Sequence, residues 1–528
     1  MPLQIYKSKT NLTVDVIESY FSAAKKMDYK RKLFLLILSA TLLRIVAASF
    51  TELGNDEAYY WTYAQHLQWS YFDHPPLVGI WIRFFTANLV LENFELLIRL
   101  GSIISCAIST VIIFKLLKEL TSERAGFIAA CLYTTSLYAS ISAGTFILPD
   151  SPQLLFWSSS LYFIMKILKA PSAFKYWVLF AVTAGLAIMS KVHGAFIWVG
   201  FLLFIIIRQQ KLLRSIHLYT AFVISFIITS PILFWNISND FASFNFQTSR
   251  LSSSSSLINW SGLLQEIYGQ ILFTNPINFL VIITALLATM KSKHSTFEAH
   301  QVYSYIALPM IIIFLLTSAV GNTLPHWSGP AYITLIPLTA SYLDKKYSLV
   351  FPNAIKWSIG LLVFTMTAGI MIIKFYPGTF GKQNATTKGT GDPSLDMYGW
   401  KEGAEAFKKI YQQENLTQST NKKAPLVFTR WYPAGHVDYY FARTNNIPVI
   451  GIGDKMQIHH YHWLNQFRMA IVDMEKAYTI IPSNERFDVN VFDEYYNRID
   501  LITSIPIYRN GTICKYFYIY RLTGLNRN

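Results

Sequence analysis

Four groups able to hold or move a proton stand in one short segment, NDEAYYWTYAQHLQWSYFDHPP (55–76): Asp56, Glu57, Asp73 and His74. The segment follows an apolar run of membrane-helix length. Acids near lipid are costly unless they are partnered or face a water-filled cavity. Two readings are open. Asn55 can cap a helix and leave Asp56 and Glu57 in its first turn, where the helix dipole favours acids. That accounts for an acid but not for its place beside the bilayer, and the other reading is an active site. Tyr59, Tyr60, Trp61, Tyr63 and Trp69 suit a helix lying in the headgroup region. The prolines after Asp73-His74 force extended backbone before them, and Pro76 can start a second short helix, PLVGIWIRFF.

The elements that position this segment are membrane helices. The chain has 528 residues, 52% hydrophobic and only 14% charged, against about 25% charged in soluble domains. The net charge of +15 comes mostly from Lys and Arg between apolar runs, the pattern of cytoplasmic loops, and nucleic-acid binding is excluded on that ground. Cys106, Cys131 and Cys514 imply no disulfide framework. The first apolar run lacks a small-residue cleavage site and reads as a retained helix.

About eleven runs approach the roughly twenty apolar residues a span needs. They lie near 33–50, 97–117, 125–143, 151–168, 174–190, 194–208, 216–235, 270–290, 302–320, 329–343 and 355–376. If each crosses once, the basic loops 25–32, 115–124, 166–175, 208–214, 291–294 and 344–346 share one side, which the positive-inside rule makes the cytoplasm. The other set is the opening segment, GTFILPDSP (144–152), SKVHG (190–194), a long loop near 237–269 with a serine tract at 252–256, and GNTLPHWSGP (321–330). These loops hold acids, histidines, Pro and Trp, so the chemistry sits on the outer face.

The expected fold is an α-helical polytopic membrane protein with a C-terminal extracytoplasmic α/β domain. Residues 1–32 form a cytoplasmic segment, 33–376 the membrane domain with outer loop 51–96 carrying the site, and 377–528 the outer domain. In the last, 399–414 reads as an amphipathic helix. PLVFTRWY (425–432), NIPVIGIG (446–453) and MAIVDM (469–474) read as strands, and 505–522 as a hairpin turning at Asn510-Gly511.

The stretch GNDEAYYWTYAQHLQWSYFDHPPLVGIWIR resembles the first outer loop of polyprenyl-phosphate-dependent glycosyltransferases of the GT-C fold. The branch is that of bacterial relatives of the dolichyl-phosphate-mannose protein mannosyltransferases and the lipid A aminoarabinose transferases. LPDSPQLLFWSSSLYF (148–163), GLAIMSKVHGAF (185–196) and PHWSGPAY (325–332) match in family order, and the likeness covers about residues 30–345. It implies a multi-pass enzyme of the bacterial inner membrane that moves a sugar from a polyprenyl-phosphate carrier to an acceptor hydroxyl on a lipid, glycan or protein, with inversion.

Carried over residue by residue, the resemblance makes Asp56 the base, with Glu57 beside it to position the acceptor. Asp73 matches an acidic position that in some members helps bind a metal or the sugar. His74 stands where the aminoarabinose transferases often carry Lys, which argues against assuming that donor. Lys191, His193 and His74 are candidates for the leaving phosphate; Asp150, His326, Trp327, Tyr59 and Tyr60 for sugar, acceptor or metal. Each has a plainer alternative: Lys191 as an interfacial lysine, His193 as a backbone partner, Asp150 as a helix cap before Ser151-Pro152, His326-Trp327 as an interfacial anchor. Asp73, His74, His193 and His326 could together hold a divalent metal, although their spacing is no local metal motif, and no cofactor is certain. His459, His460 and His462 read as surface or acceptor contact, not a ligand set. A transporter is the competing class, but transporters place ionisable groups at midplane in repeated halves, and no repeat is visible here.

Overall fold

The computed structural model describes residues 28–251, 258–291, 298–321, 323–348, 350–414, 423–485 and 487–526. The serine tract at 252–256 and most of the N-terminal segment lie outside the described residues.

Fifteen described helices precede residue 377, in this order: α1 (Tyr29–Phe50), α2 (Asn55–Gln65), α3 (Leu77–Phe85), α4 (Glu95–Leu120), α5 (Glu123–Thr135), α6 (Asp150–Lys169), α7 (Phe174–Ser190), α8 (Phe196–Arg208), α9 (Ile216–Ser238), α10 (Ala242–Leu251), α11 (Trp260–Thr274), α12 (Pro276–Lys291), α13 (Glu298–Ser318), α14 (Gly329–Lys346) and α15 (Asn353–Phe375). Each apolar run marked in the sequence is helical. Among the described residues, α1, α4, α9, α13 and α15 are long and apolar enough to cross a membrane. The run expected at 270–290 is not one straight span. α11 and the first turns of α12 meet at a 98° bend, where Asn275 takes a positive φ and Pro276 opens the next helix. α14 is buried along most of its length, among other helices, which lets it carry threonine, serine and proline.

The short helices of the first outer loop depart from expectation in their surroundings. Gly54, not Asn55, is the N-cap of α2, and Glu57 reaches back to its N–H at 2.9 Å. Tyr59, Tyr60, Trp61 and Tyr63 are buried, while Trp69 is exposed. The aromatic face of α2 does not lie in headgroups; it shares one core with Trp400, Phe407, Phe441 and Phe517 of the C-terminal region. Their ring area is removed from water between two parts of the chain.

That region is an α/β unit. α16 (Trp400–Glu414) buries Trp400, Gly403, Ala404 and Phe407 on one face, as its pattern predicts. After it come β1 (Leu426–Phe428), α17 (Trp431–Val437), β2 (Val449–Gly451), α18 (Lys455–Ile458), α19 (Tyr461–Arg468), β3 (Lys476–Pro482), β4 (Tyr496–Arg509) and β5 (Thr512–Leu525). The sheet order is β2-β1-β3-β5-β4, with β1 parallel to β2 and β3 and the rest antiparallel. The β4–β5 hairpin turns at Asn510-Gly511, both at positive φ. MAIVDM is not the third strand. Met469–Ile471 is a 3-10 turn following α19, and the strand is KAYTIIP, buried from its second residue on.

Candidate active site

Widely separated chain segments meet in one cavity of about 310 Å3. Asp56 and Tyr60 come from α2, Asp73 and His74 from the turn before α3, Asp150 from the first turn of α6, and Lys191 from the break after α7. His326 and Trp327 enter from the 3-10 turn before α14. The α/β unit closes the far side with Trp431, Met456, Gln457 and His459.

Asp56 is open to this space and makes no side-chain hydrogen bond among the described residues. Burial within the molecule and the nearby Asp73 carboxylate push its acid up to about 6. Such a group is largely ionised at neutral pH and still basic enough to take a proton. Asp73 is held differently. It accepts from Tyr59 Oη at 3.0 Å and from Tyr63 Oη. Burial raises its acid, but His74, His459 and the two hydroxyls outweigh that and leave it below the usual carboxylate range. Two neighbouring carboxylates are thus driven apart, one toward base chemistry and one toward a fixed charge.

Lys191 Nζ donates to Asp150 at 2.9 and 3.0 Å, and Tyr138 Oη donates to the same carboxylate at 2.6 Å. Lys191 and Asp150 side chains are each 3% exposed. Lys191 is therefore no snorkelling interfacial lysine, and Asp150 does not spend its carboxylate as a cap: no side-chain cap bond is made at that helix start. An ammonium has three N–H groups, so one stays available toward the cavity.

Three expected residues stand elsewhere. Glu57, expected beside the acceptor, does not line the cavity. It faces the core, where Arg99 grips it at 2.5 and 2.8 Å and the N–H groups of Gly54 and Ile147 bind it at 2.9 and 3.0 Å. Arg99 also donates to the carbonyls of Ala48, Thr51 and Glu52. The pair locks the end of α1 to the start of α2. His193, expected at the leaving phosphate, packs instead on Trp327 and Phe314, with ring centroids 5.2 and 5.0 Å away. Tyr59 sits one layer behind, holding Asp73 and accepting the His460 N–H at 3.2 Å.

The histidine group of the outer domain reads differently in the fold. His459 lines the cavity, stacked on Trp431 at 5.5 Å, and His460 is fully buried against Tyr63 and Tyr71. Burial drives the His460 imidazole down to about 3, so it is neutral at physiological pH. Sequence reasoning read His459 only as surface or acceptor contact and missed Trp431 and Arg99. Only Arg99 carried a signal, an arginine inside a long apolar run. Asp73, His74 and His326 line the cavity and His193 does not; among the described residues, no group of three or more His, Cys, Asp or Glu is arranged to hold an ion.

Comparison with known proteins points to one class. A family described as dolichyl-phosphate-mannose-protein mannosyltransferase matches residues 73–235. The lipid A galacturonosyltransferase RgtD of Rhizobium johnstonii is 24% identical over 353 residues, 65% of this chain and 69% of that one. An undecaprenyl phosphate-alpha-4-amino-4-deoxy-L-arabinose arabinosyl transferase of Proteus mirabilis is 26% identical over 136 residues, 25% of this chain and 24% of that one. The crystal structure of ArnT from Cupriavidus metallidurans in the apo state superposes with a TM-score of 0.62 at 15% identity, covering 94% of this chain and 99% of that one. ArnT bound to undecaprenyl phosphate gives 0.63 at 14% identity, over 93% and 98%. The chain shares the fold of ArnT, and the resemblance read from the loops is matched by the family model over residues 73–235 and by RgtD.

Proposed function

We propose that the chain is a membrane glycosyltransferase that moves one sugar from a polyprenyl-phosphate carrier to an acceptor hydroxyl. One observation carries this. A base-poised carboxylate, Asp56, opens into the same cavity as a fixed carboxylate, Asp73, the Asp150-paired ammonium of Lys191, and His74 and His326, with Trp431 and His459 across from them. Asp56 takes the acceptor proton as the acceptor oxygen bonds to the anomeric carbon and the bond to phosphate breaks. The lipid phosphate leaves with the electron pair, and the configuration inverts. The free N–H of Lys191, with His74 and His326, stabilises charge developing on the phosphate. Asp73, Tyr60 and Trp327 hold the sugar. No step is routed through a metal.

In this reading the chain crosses a bacterial inner membrane eleven times, α11–α12 counting as one crossing, with the N-terminus in the cytoplasm and the α/β unit on the far face. The positive-inside pattern supports that sidedness. The name of RgtD supports lipid A as the acceptor, and the undecaprenyl phosphate in ArnT supports that carrier.

The test is transfer in proteoliposomes given lipid A and undecaprenyl-phosphate-linked sugars, read by mass spectrometry. Lipid A heavier by one sugar is expected with the native chain and not with Asp56→Asn. Equal transfer by the Asp56→Asn protein overturns the assignment of the base, and no transfer from any carrier-linked sugar overturns the function.

A further inference from the structure

α11 turns two different faces to its surroundings. Leu264, Tyr268 and Leu272 are exposed on one of them. The other runs along the stretch 318–332, which carries His326 and Trp327 into the candidate active site. The residues of this inner face sit at helical spacing: Asn259 at the N-cap, then Gly262, Glu266, Gly269, Gln270 and Phe273.

Each meets the stretch at a different point. The Asn259 N–H donates to the Ala319 carbonyl at 2.6 Å. A Cβ at Gly262 would stand 2.6 Å from the Ser318 carbonyl oxygen, and one at Gly269 would stand 2.0 Å from Pro325 Cβ, so both glycines are points of close approach. Thr323 Oγ1 donates to Glu266 at 2.8 Å, and Tyr332 Oη donates to Gln270 at 2.6 Å. Gln270 Nε2 donates to the other Glu266 oxygen at 2.8 Å. The ring centroids of Phe273 and His326 lie 5.9 Å apart. Trp327 packs on the far side, against Phe314 of α13 at 5.9 Å, so the α11 face governs His326. Glu266 is fully buried. An acid buried in a membrane domain is rare and costly, and apolar residues would pack the same surface without that cost. What a carboxylate adds is direction. Its two oxygens are taken by two donors, which fixes the height along α11 of Thr323, three residues before His326.

We propose that Glu266 is a positioning residue for the transfer: through Thr323 it sets where His326 stands against the carrier phosphate. Glu266 does not line the cavity and acts only through the turn it holds. The inference rests on the transferase reading above, which gives His326 part of the charge developing on that phosphate.

A double-mutant cycle on the full chain in proteoliposomes tests it. Glu266→Ala and His326→Ala are each expected to lower kcat/KM about tenfold or more, the scale for misplacing or losing one group at a reacting centre. The double variant should be no slower than His326→Ala alone. Glu266→Gln can meet both neighbours with its amide and should stay within about twofold of wild type. Thr323→Val removes only the bond that reaches the turn and should repeat the Glu266→Ala loss, so the cycle can be run with it if Glu266→Ala does not fold. Losses that add in the double variant overturn the inference, because Glu266 then acts elsewhere. So does a Glu266→Gln loss equal to that of Glu266→Ala, or a Thr323→Val protein with native kcat/KM. Undecaprenyl phosphate binding, read by native mass spectrometry, separates this from the transferase reading. It should weaken about tenfold in Glu266→Ala and in His326→Ala, and no further in the double variant. That binding pattern in a chain that transfers no sugar sinks the transferase reading and spares the positioning; wild-type transfer with additive losses sinks the positioning alone.

Discussion

Asp56 and Glu57 are neighbours on one helix turn, and the fold gives them opposite fates. Successive helical residues point about 100° apart. Asp56 therefore faces the cavity and Glu57 faces the core. Glu57 is held by Arg99 and two backbone N–H groups; Asp56 is held by nothing among the described residues. The difference shows how a membrane-edge acid is made safe or made reactive. The partnered one is fixed by Arg99 and two backbone N–H groups and rigidifies the loop. The unpartnered one keeps an elevated pKa, which a general base needs.

Four experiments break or sharpen this contrast. The largest effect is expected from Asp56→Asn, which should lower turnover about 10²–10⁴-fold, the range for loss of a general base, in a protein that still folds. Its stability should move the other way. The folded pKa of about 6 lies above that of ordinary aspartate, so ionising Asp56 destabilises the fold as pH rises through that interval. Thermal melting should show Asp56→Asn raising Tm near pH 7.5 and leaving it unchanged near pH 4. Wild-type kcat/KM should likewise fall below about pH 6.

Glu57→Gln should do the reverse. Breaking a buried ion pair costs about 3–5 kcal/mol, so melting temperature and yield should collapse, while kcat of the surviving folded fraction stays near wild type. A Glu57→Gln protein with native Tm would show that the contact with Arg99 carries no stability. Lys191→Gln should cut kcat about 10²–10³-fold, the scale for losing one donor to developing charge. KM for the carrier-linked sugar should rise less than kcat falls; an effect on Tm alone would reduce Lys191 to a structural partner of Asp150. The smallest effect is expected at the lid. His459→Ala loses the stack on Trp431 and ring contacts with Tyr59, Phe72 and Phe246, each such pair worth about 0.5–1.5 kcal/mol, and should raise KM about tenfold or more with kcat unchanged.

The site was legible where chemistry and topology coincide. Asp73, Asp150, Lys191 and His326 stood in outer loops by loop charge alone, and all four line one cavity. Glu57 and His193 were misplaced because a residue name does not say which way a side chain turns. His459 was read only as surface or acceptor contact because nothing in a short histidine run ties it to a loop near residue 73; only packing of α17 over α2, with Trp431 stacked on His459, brings them together. The aromatic run of α2 fits a headgroup helix as well as a buried one, and the α/β unit resting on it decided the matter.

Hydropathy and local pattern by themselves determined that the chain is a helical bundle and that a small α/β unit follows it. Those properties are local sums along the chain, so they survive without coordinates. Which carboxylate is free, which is locked, and which cavity each faces were decided by tertiary structure alone, because they depend on helix phase and on partners, Arg99 for one and the α/β lid for the other, that the sequence sets far apart.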